Sequence, residues 1–275
     1  MTTPACFALA LLAAAPAAPE ELTLDLLVGE WLNSQYIDHL EETRSPVKMP
    51  FDGNTRWTAL YFSRGDRYFE WKQALSYHEG VFLRITGLQP EPESGIYRVL
   101  FHDRQTHGRA TGEDRFLIPR TTPLEEMTWL FDELYGPAPQ ERRIAFRRVE
   151  PDIAAFVNRT VIAGTYTDRR GRSFTFEETG AAVWPDSTPL TYTVELDKHG
   201  AAGRYDVFHV AGDPASDRPP QTCAFEWKDD RLLIYPTREA DLTRPFTPGS
   251  DPYWIRGESP LFILQPAASG PARSD

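Results

Sequence analysis

The stretch LVGEWLNSQYIDHLEETRSP, residues 27–46, changes its pattern within a few residues. It opens with Gly29-Glu30-Trp31, which is typical of a strand start, and continues as a helix-like segment. Tyr36 and Leu40 stand at positions i and i+4 and share one face of that helix. The stretch therefore predicts one short helix placed directly after the first strand of a β-rich region.

The segments that follow alternate apolar and polar residues with a period of two and are rich in aromatic and β-branched residues. Short connections between such strands favour an antiparallel meander. The predicted strands are RWTALYF (56–62), RYFEWKQ (67–73), VFLRITG (81–87), IYRVLFH (96–102), EDRFLIP (113–119) and RRIAFRRV (142–149).

The hairpin 81–101 has a predicted register that puts apolar residues on one face, if its loop centres near Glu91. The predicted pairs are Val81 with Phe101, Leu83 with Val99, and Ile85 with Tyr97. On the other face Arg84 lies against Arg98. These two guanidiniums either clamp a carboxylate or phosphate or spread apart into solvent.

The segment TTPLEEMTWLFDELYGP, residues 121–137, carries the start and stop signals of a helix. Thr122 is a candidate N-cap, Pro123 suits the first helical position, and Glu125 completes a capping box. Apolar residues then recur at helical spacing up to Gly136-Pro137. We expect a helix here, although MTWLF alone also suits a strand.

A second β unit follows a short predicted linking helix, DIAAFVNRTVIA. About eight strands between residues 160 and 266 are enough for a small closed barrel or a strongly curled sheet. They are GTYTDRRGRSFTFEETGAAVWPD (164–186, three strands), LTYTVEL (190–196), RYDVFHV (204–210), TCAFEWK (222–228), RLLIYP (231–236) and PLFILQ (260–265). The tetrapeptide FEWK occurs at 69–72 and again at 225–228. The sequence distance between the two copies differs from that between Gly29 and Gly164, which would be the matching strand starts of a repeat. FEWK therefore does not indicate duplication.

The net charge of the chain and its terminal segments indicate which partners the protein could bind and where it is located. The formal net charge is −11, which argues against nucleic acid and anionic membranes as partners. Residues 1–17 form an apolar run ending in Ala15-Pro16-Ala17, which predicts a signal peptide although no Lys or Arg precedes the run. We therefore expect a periplasmic or extracellular protein with no membrane span. Its tail, 267–275, is expected to be disordered, and Cys223 is expected to be buried on a strand.

Gly29-Glu30-Trp31 resembles the Gly-x-Trp signature of the calycins, the superfamily of lipocalins and fatty-acid-binding proteins. NSQYIDHLEE (33–42) resembles the helical lid that fatty-acid-binding proteins place after their first strand. In that superfamily an Arg of the last strand packs over the Trp and closes the barrel, and AFRRVEP (145–151) offers Arg147 or Arg148. The resemblance covers residues 22–150.

The resemblance implies a lipocalin-like barrel with a helical lid over residues 22–150. Together with the strand and helix patterns, it leads us to expect a mainly β fold with two antiparallel meander barrels, residues 22–150 and 160–266, the first carrying the lid and the helix at 121–137. Tyr36 and Leu40 of the lid would then face a ligand. Trp57 and Trp71 would line an apolar pocket or fill the barrel as ordinary core, with Arg84 and Arg98 as the anion clamp. The Arg-x-Tyr pair with which fatty-acid-binding proteins hold a carboxylate is incomplete, because Glu150 stands at the Tyr position.

We expect non-catalytic binding of a small hydrophobic or amphipathic molecule, with no cofactor and no metal. No phosphate loop, serine elbow or dinucleotide fingerprint is present in the sequence. An alternative is a calycin-like isomerase or hydrolase that uses His78-Glu79 or His102, Asp103 and His107. A second alternative is an envelope interaction module that contacts a protein partner through the Pro-rich loop 243–260.

Overall fold

The computed structural model shows two β-barrels joined by a helix, which confirms the predicted fold class. The predicted signal peptide and residues 268–275 of the tail lie outside the described residues. The structure describes residues 22–49, 57–66, 68–75, 79–91, 95–103, 111–119, 123–133, 140–185, 189–196, 205–211, 220–239 and 254–267.

The first barrel is an eight-stranded meander that closes when its last strand pairs with its first. Trp31 on the first strand lies opposite Arg148 on the last. The short helix α1 (Leu24–Leu27) precedes the barrel, and α2 (Ser34–Thr43) follows its first strand. The strands are β1 (Gly29–Asn33), β2 (Trp57–Arg64), β3 (Phe69–Leu75), β4 (Glu79–Pro90), β5 (Ile96–Asp103), β6 (Thr111–Leu117), β7 (Glu126–Glu133) and β8 (Gln140–Val149).

The second barrel follows helix α3 (Ile153–Val161), whose N-cap Asp152 accepts a hydrogen bond from the Ala155 N–H at 2.7 Å. Its strands are β9 (Gly164–Thr167), β10 (Ser173–Phe176), β11 (Ala181–Val183), β12 (Leu190–Val194), β13 (Asp206–Val210), β14 (Gln221–Lys228), β15 (Arg231–Glu239), β16 (Trp254–Arg256) and β17 (Phe262–Pro266). The β14–β15 and β17–β9 pairings close the barrel, while β16 extends from β15. Alternating buried residues fill its interior, as in β12, where Leu190, Tyr192 and Val194 are buried and the two threonines between them are exposed.

Both barrels begin with the same local arrangement. Gly29 and Gly164 are the first residues of their first strands and have φ of 144° and 150°, where glycine is favoured. Two residues later, Trp31 Nε1 donates to the Leu27 carbonyl at 2.9 Å, and Tyr166 Oη donates to the Ile162 carbonyl at 2.8 Å. FEWK, in contrast, lies in the third strand of one barrel and the sixth of the other. The equivalent positions are therefore the glycines and not the shared tetrapeptide.

Helix α2 forms where the sequence predicts it, but it does not face the interior of the first barrel. Its buried side chains Tyr36, Ile37 and Leu40 belong to the core cluster that continues into α3 and the second barrel. Leu32 and Ala59 belong to that same cluster, because they point outward from β1 and β2. The predicted lid is therefore corrected to a helix packed between the two barrels, where it covers an apolar patch of the first barrel's outer wall.

The segment predicted as a helix, 121–137, is a strand over Glu126–Glu133. Met127 and Trp129 alternate into the core of the first barrel, and β7 pairs with both β6 and β8. The Glu125 carbonyl accepts the Arg148 N–H at 2.8 Å, so this end is bound to β8 as well. In the closed barrel, the backbone groups on both edges of β7 are paired with a neighbouring strand. This pairing outweighs the local helical pattern.

The predicted register of the 81–101 hairpin is wrong. Ile85 pairs with Phe101, and a bulge before Gly87 moves Leu88 opposite Val99. Strand β4 runs through Pro90, so the turn lies further along the chain than a loop centred near Glu91. This register keeps the apolar residues of β4 and β5 on the buried face. It places Arg84 opposite His102 and Arg98 opposite Gln89, so the two arginines are separated.

Candidate functional site

The end of the first barrel that includes Trp31 is sealed by stacking and hydrogen bonds. The Trp31 side chain is fully buried, and the Arg148 guanidinium carbon lies 4.7 Å from its ring centroid. Arg148 also donates to the Leu26 carbonyl, and burial lowers the pKa of its guanidinium. Arg147 points outward instead, where it pairs with Asp38 of α2. Of the two candidates for the closing residue, the geometry selects Arg148.

The opposite half of the barrel interior is lined by aromatic side chains. Trp57 is the first residue of β2. In the β1–β2 pair Leu32 lies opposite Ala59, and Trp57 lies further from Gly29 than this pair does. Its half-buried ring meets Trp129 edge to face, with centroids 5.3 Å apart. Phe131 in turn stacks on the Trp129 ring, with centroids 4.7 Å apart. This half therefore presents flat apolar surfaces near the barrel end where β2 begins.

Asp114 places a carboxyl group among these rings. It shares the inward face of β6 with the fully buried Phe116, and Trp129 Nε1 donates to its Oδ1 at 3.0 Å. Burial raises the pKa of Asp114 to about 7, although the Trp129 hydrogen bond acts in the opposite direction. Asp114 is partly exposed, and a carboxyl group whose pKa is raised in this way is a candidate for a functional site.

Trp71 contributes a second polar atom to the interior. Its side chain is fully buried, and its Nε1–H has no hydrogen-bond partner in the described part of the chain. The Trp71 and Trp129 ring centroids are 6.0 Å apart, so this donor belongs to the same aromatic group as the Asp114 carboxyl. An unpaired buried donor is costly, and in a native protein such an atom calls for a functional explanation.

The other predicted ligand residues lie elsewhere. Arg84 sits on the outer wall, opposite His102, with its guanidinium 3.8 Å from the centre of the Tyr68 ring. Arg98 pairs with Gln89 across the strands and lies near the carboxylates of Glu91 and Glu113. The two arginines therefore do not form the predicted clamp.

Tyr36 and Leu40 pack between the barrels and away from the first core. Trp57 and Trp71 are thus the predicted ligand residues that the structure places with the interior cluster of the first barrel. Sequence reasoning missed Asp114. Its signal is present in EDRFLIP, where an acidic residue occupies the same alternating face as Phe116 and Ile118.

Of the histidines considered for chemistry, the structure describes His102. His102 lies on the outer wall beside Arg84, and His78 and His107 lie outside the described residues. Among the side chains that the structure describes, no group of three His, Cys, Asp or Glu residues could hold a metal ion. Residues 243–253 of the proposed partner loop are also outside the described ranges, and its remaining part includes β16.

Comparisons with known proteins add no relative. No protein-family model, curated protein or solved structure gives a significant match to this chain. Within the described ranges, the helices are all too short or too polar to cross a bilayer.

Proposed function

We propose that this is an exported protein whose first barrel has a non-catalytic role and binds a small hydrophobic or amphipathic molecule. The observation that carries the proposal is the Asp114 carboxyl held among the aromatic rings of the interior. A core built for stability alone gains nothing from a desolvated carboxyl, whereas a binding site uses such a group to orient a ligand. The apolar N-terminal run supports the export part of the proposal.

The lining defines the chemistry of the ligand. Flat apolar parts of a ligand pack against Trp57, Trp129 and Phe131, where the rings already contact one another. A hydroxyl or amine of the ligand donates to Asp114, and an acceptor pairs with the Trp71 Nε1–H. The expected ligand therefore has an apolar, ring-sized body and one or two polar groups.

The test is a titration of the mature protein with N-phenyl-1-naphthylamine, a neutral fluorescent probe that has an aromatic body and an N–H donor. We expect saturable fluorescence enhancement. Asp114→Asn keeps the shape of the side chain but removes the ionised acceptor, so affinity should fall about tenfold. Trp57→Ala should weaken binding through lost ring contact.

The matched control is Phe82→Ala, which removes an aromatic ring that is 43% exposed on the outer wall of the same barrel. Its affinity should equal that of the parent protein. Non-saturable fluorescence, or a loss of binding in Phe82→Ala without loss in the two interior variants, would refute the site. If the expected binding is observed, mass spectrometry of small molecules that co-purify with the protein would identify the natural ligand.

A further inference from the structure

A second cluster of polar residues lies on the outer wall of the second barrel. Phe208 and Val210 face the interior of that barrel, so His209 between them faces outward. Thr222 on β14 is its direct cross-strand neighbour. Glu195 follows β12 and is fixed there by its N–H, which donates to the Val207 carbonyl at 2.9 Å. Three neighbouring strands thus bring a carboxylate, an imidazole and a hydroxyl into one row.

The distances in this row match those of a nucleophile, a base and a residue that orients the base. His209 Nδ1 is 2.9 Å from Thr222 Oγ1, and His209 Nε2 is 3.1 Å from Glu195 Oε2. The Glu195 carboxylate can only accept, so it selects the tautomer with the proton on Nε2. The free Nδ1 then accepts the hydrogen bond of the Thr222 hydroxyl. This arrangement activates a hydroxyl for attack on a carbonyl carbon.

A pocket of about 510 Å³ lies against this row and is lined by both His209 and Thr222. Trp254 and Leu261 give it an apolar side, and Arg238 adds a cation. Cys223 also belongs to the lining, but its side chain is buried. Burial raises the pKa of its thiol to about 11, so it stays protonated and is a poor nucleophile. The hydroxyl is therefore the better candidate for attack in this pocket.

We propose that this pocket hydrolyses small carboxylic esters, with Thr222 as nucleophile and His209 as general base. Thr222 Oγ1 forms a bond to the ester carbonyl carbon while its proton passes to His209 Nδ1. The tetrahedral intermediate collapses, the ester C–O bond breaks, and His209 gives the proton to the departing alcohol. A water molecule then bonds to the carbonyl carbon of the acyl-threonine while His209 takes one of its protons. The bond between that carbon and Thr222 Oγ1 breaks, His209 returns the proton to Oγ1, and the carboxylic acid leaves.

The other two residues assist this reaction in different ways. Arg238 supplies positive charge for the oxyanion in the pocket. Glu195 is a positioning residue, since it contacts the imidazole and not the ester. The substrate class is an ester with a short aliphatic or aromatic acyl group, which packs against the apolar lining formed by Trp254, Leu261 and the two prolines Pro220 and Pro236.

The experiment is hydrolysis of p-nitrophenyl acetate by the full chain, with intact-mass detection and peptide mapping of the acyl-enzyme. We expect turnover above the buffer rate and an acetyl group on Thr222. Thr222→Val and His209→Gln should each lower kcat at least a hundredfold. Thr222→Ser, which keeps a hydroxyl, should retain both turnover and acylation. Thr165→Val, an exposed threonine on β9 away from the pocket, should behave like the parent.

Glu195→Gln tests the positioning role. Losing the carboxylate should lower kcat and leave KM unchanged, because Glu195 contacts the imidazole and not the ester. Glu195→Asp should restore part of kcat, whereas a purely structural defect would change KM as well and would not be rescued by a carboxylate. Circular dichroism of each variant establishes that it is folded. Turnover of the parent no faster than that of Thr222→Val, or acetylation at another residue, overturns the proposal.

Discussion

Asp114 is the residue at which stability and the proposed function conflict. Its carboxyl lies beside aromatic rings and receives one hydrogen bond, from Trp129. Ionisation in such surroundings is unfavourable, which is why burial raises the pKa to about 7. The same property makes the group a strong acceptor for a ligand that brings its own donor.

The pH dependence of the free energy of unfolding should show the cost of ionising Asp114 in the folded protein. The pKa of Asp114 is about 7 in the folded protein and near 4 in the unfolded chain, so between these values only the folded state binds the proton. This group therefore lowers the free energy of unfolding as pH rises from about 4 to 7. We expect Asp114→Asn to remove that slope and to be more stable than the parent at pH 8, by about 1–2 kcal/mol.

Urea denaturation at several pH values measures the effect. Glu42→Gln, at an exposed carboxylate of α2, is the matched control and should follow the parent curve. A parent protein whose stability rises steadily from pH 4 to 7, with Asp114→Asn parallel to it, would show that this carboxyl is not desolvated.

At the scale of elements, the first strand of each barrel provides the closure. Glycine at φ near 150° lets the strand start close to the preceding segment, and an aromatic side chain two residues later donates to a carbonyl four residues before it. In the first barrel Arg148 of β8 stacks on Trp31, so the last strand is fixed to the first by a side-chain contact as well as by backbone pairing.

Trp31→Ala should therefore loosen β1 and β8 together. The side chain is fully buried, so its removal should cost about 3–5 kcal/mol. Hydrogen exchange should show faster exchange in the β1–β8 ladder than in the parent. Trp57→Ala, which removes a half-buried indole from the other end, should cost less. Equal losses for the two variants would contradict a closing role for Trp31.

At the scale of the whole molecule, the two barrels share one hydrophobic cluster. Helices α2 and α3 contact each other, and Leu40 of α2 lies in a cluster that includes interior residues of the second barrel. Polar contacts cross the same boundary: Ser45 donates to Asp206 at 2.6 Å, and the Arg44 guanidinium lies 4.4 Å from the Trp227 ring centroid. The barrels should therefore unfold cooperatively.

Leu40→Ala in the full chain tests this coupling. The fully buried side chain leaves a cavity, and a loss of about 2–5 kcal/mol is expected. Hydrogen exchange should become faster in strands of both barrels, because the cluster spans them. Glu42→Ala, an exposed position on the same helix, is the control. Faster exchange confined to the first barrel would instead indicate that α2 serves that barrel alone.

Much of the secondary structure could be predicted because its causes are local. Period-two alternation indicated most strands, Gly29 and Trp31 marked the first one, and the segments after Asn33 and Pro151 form the helices α2 and α3. The position of an arginine over Trp31 was also foreseen, although the choice of Arg148 over Arg147 depended on which of them faces inward from β8.

The remaining features depend on residues far apart in the chain, and the folded structure alone decided them. Residues 126–133 became a strand because β6 and β8 offered two edges. The register of β4 against β5, in which Arg84 lies opposite His102 and not opposite Arg98, was also decided by the folded structure. Burial by surrounding rings gave the Asp114 carboxyl its altered pKa. Strand pairing likewise brought Thr222 to His209, since a hydrogen bond between distant residues has no signature in the local pattern of either.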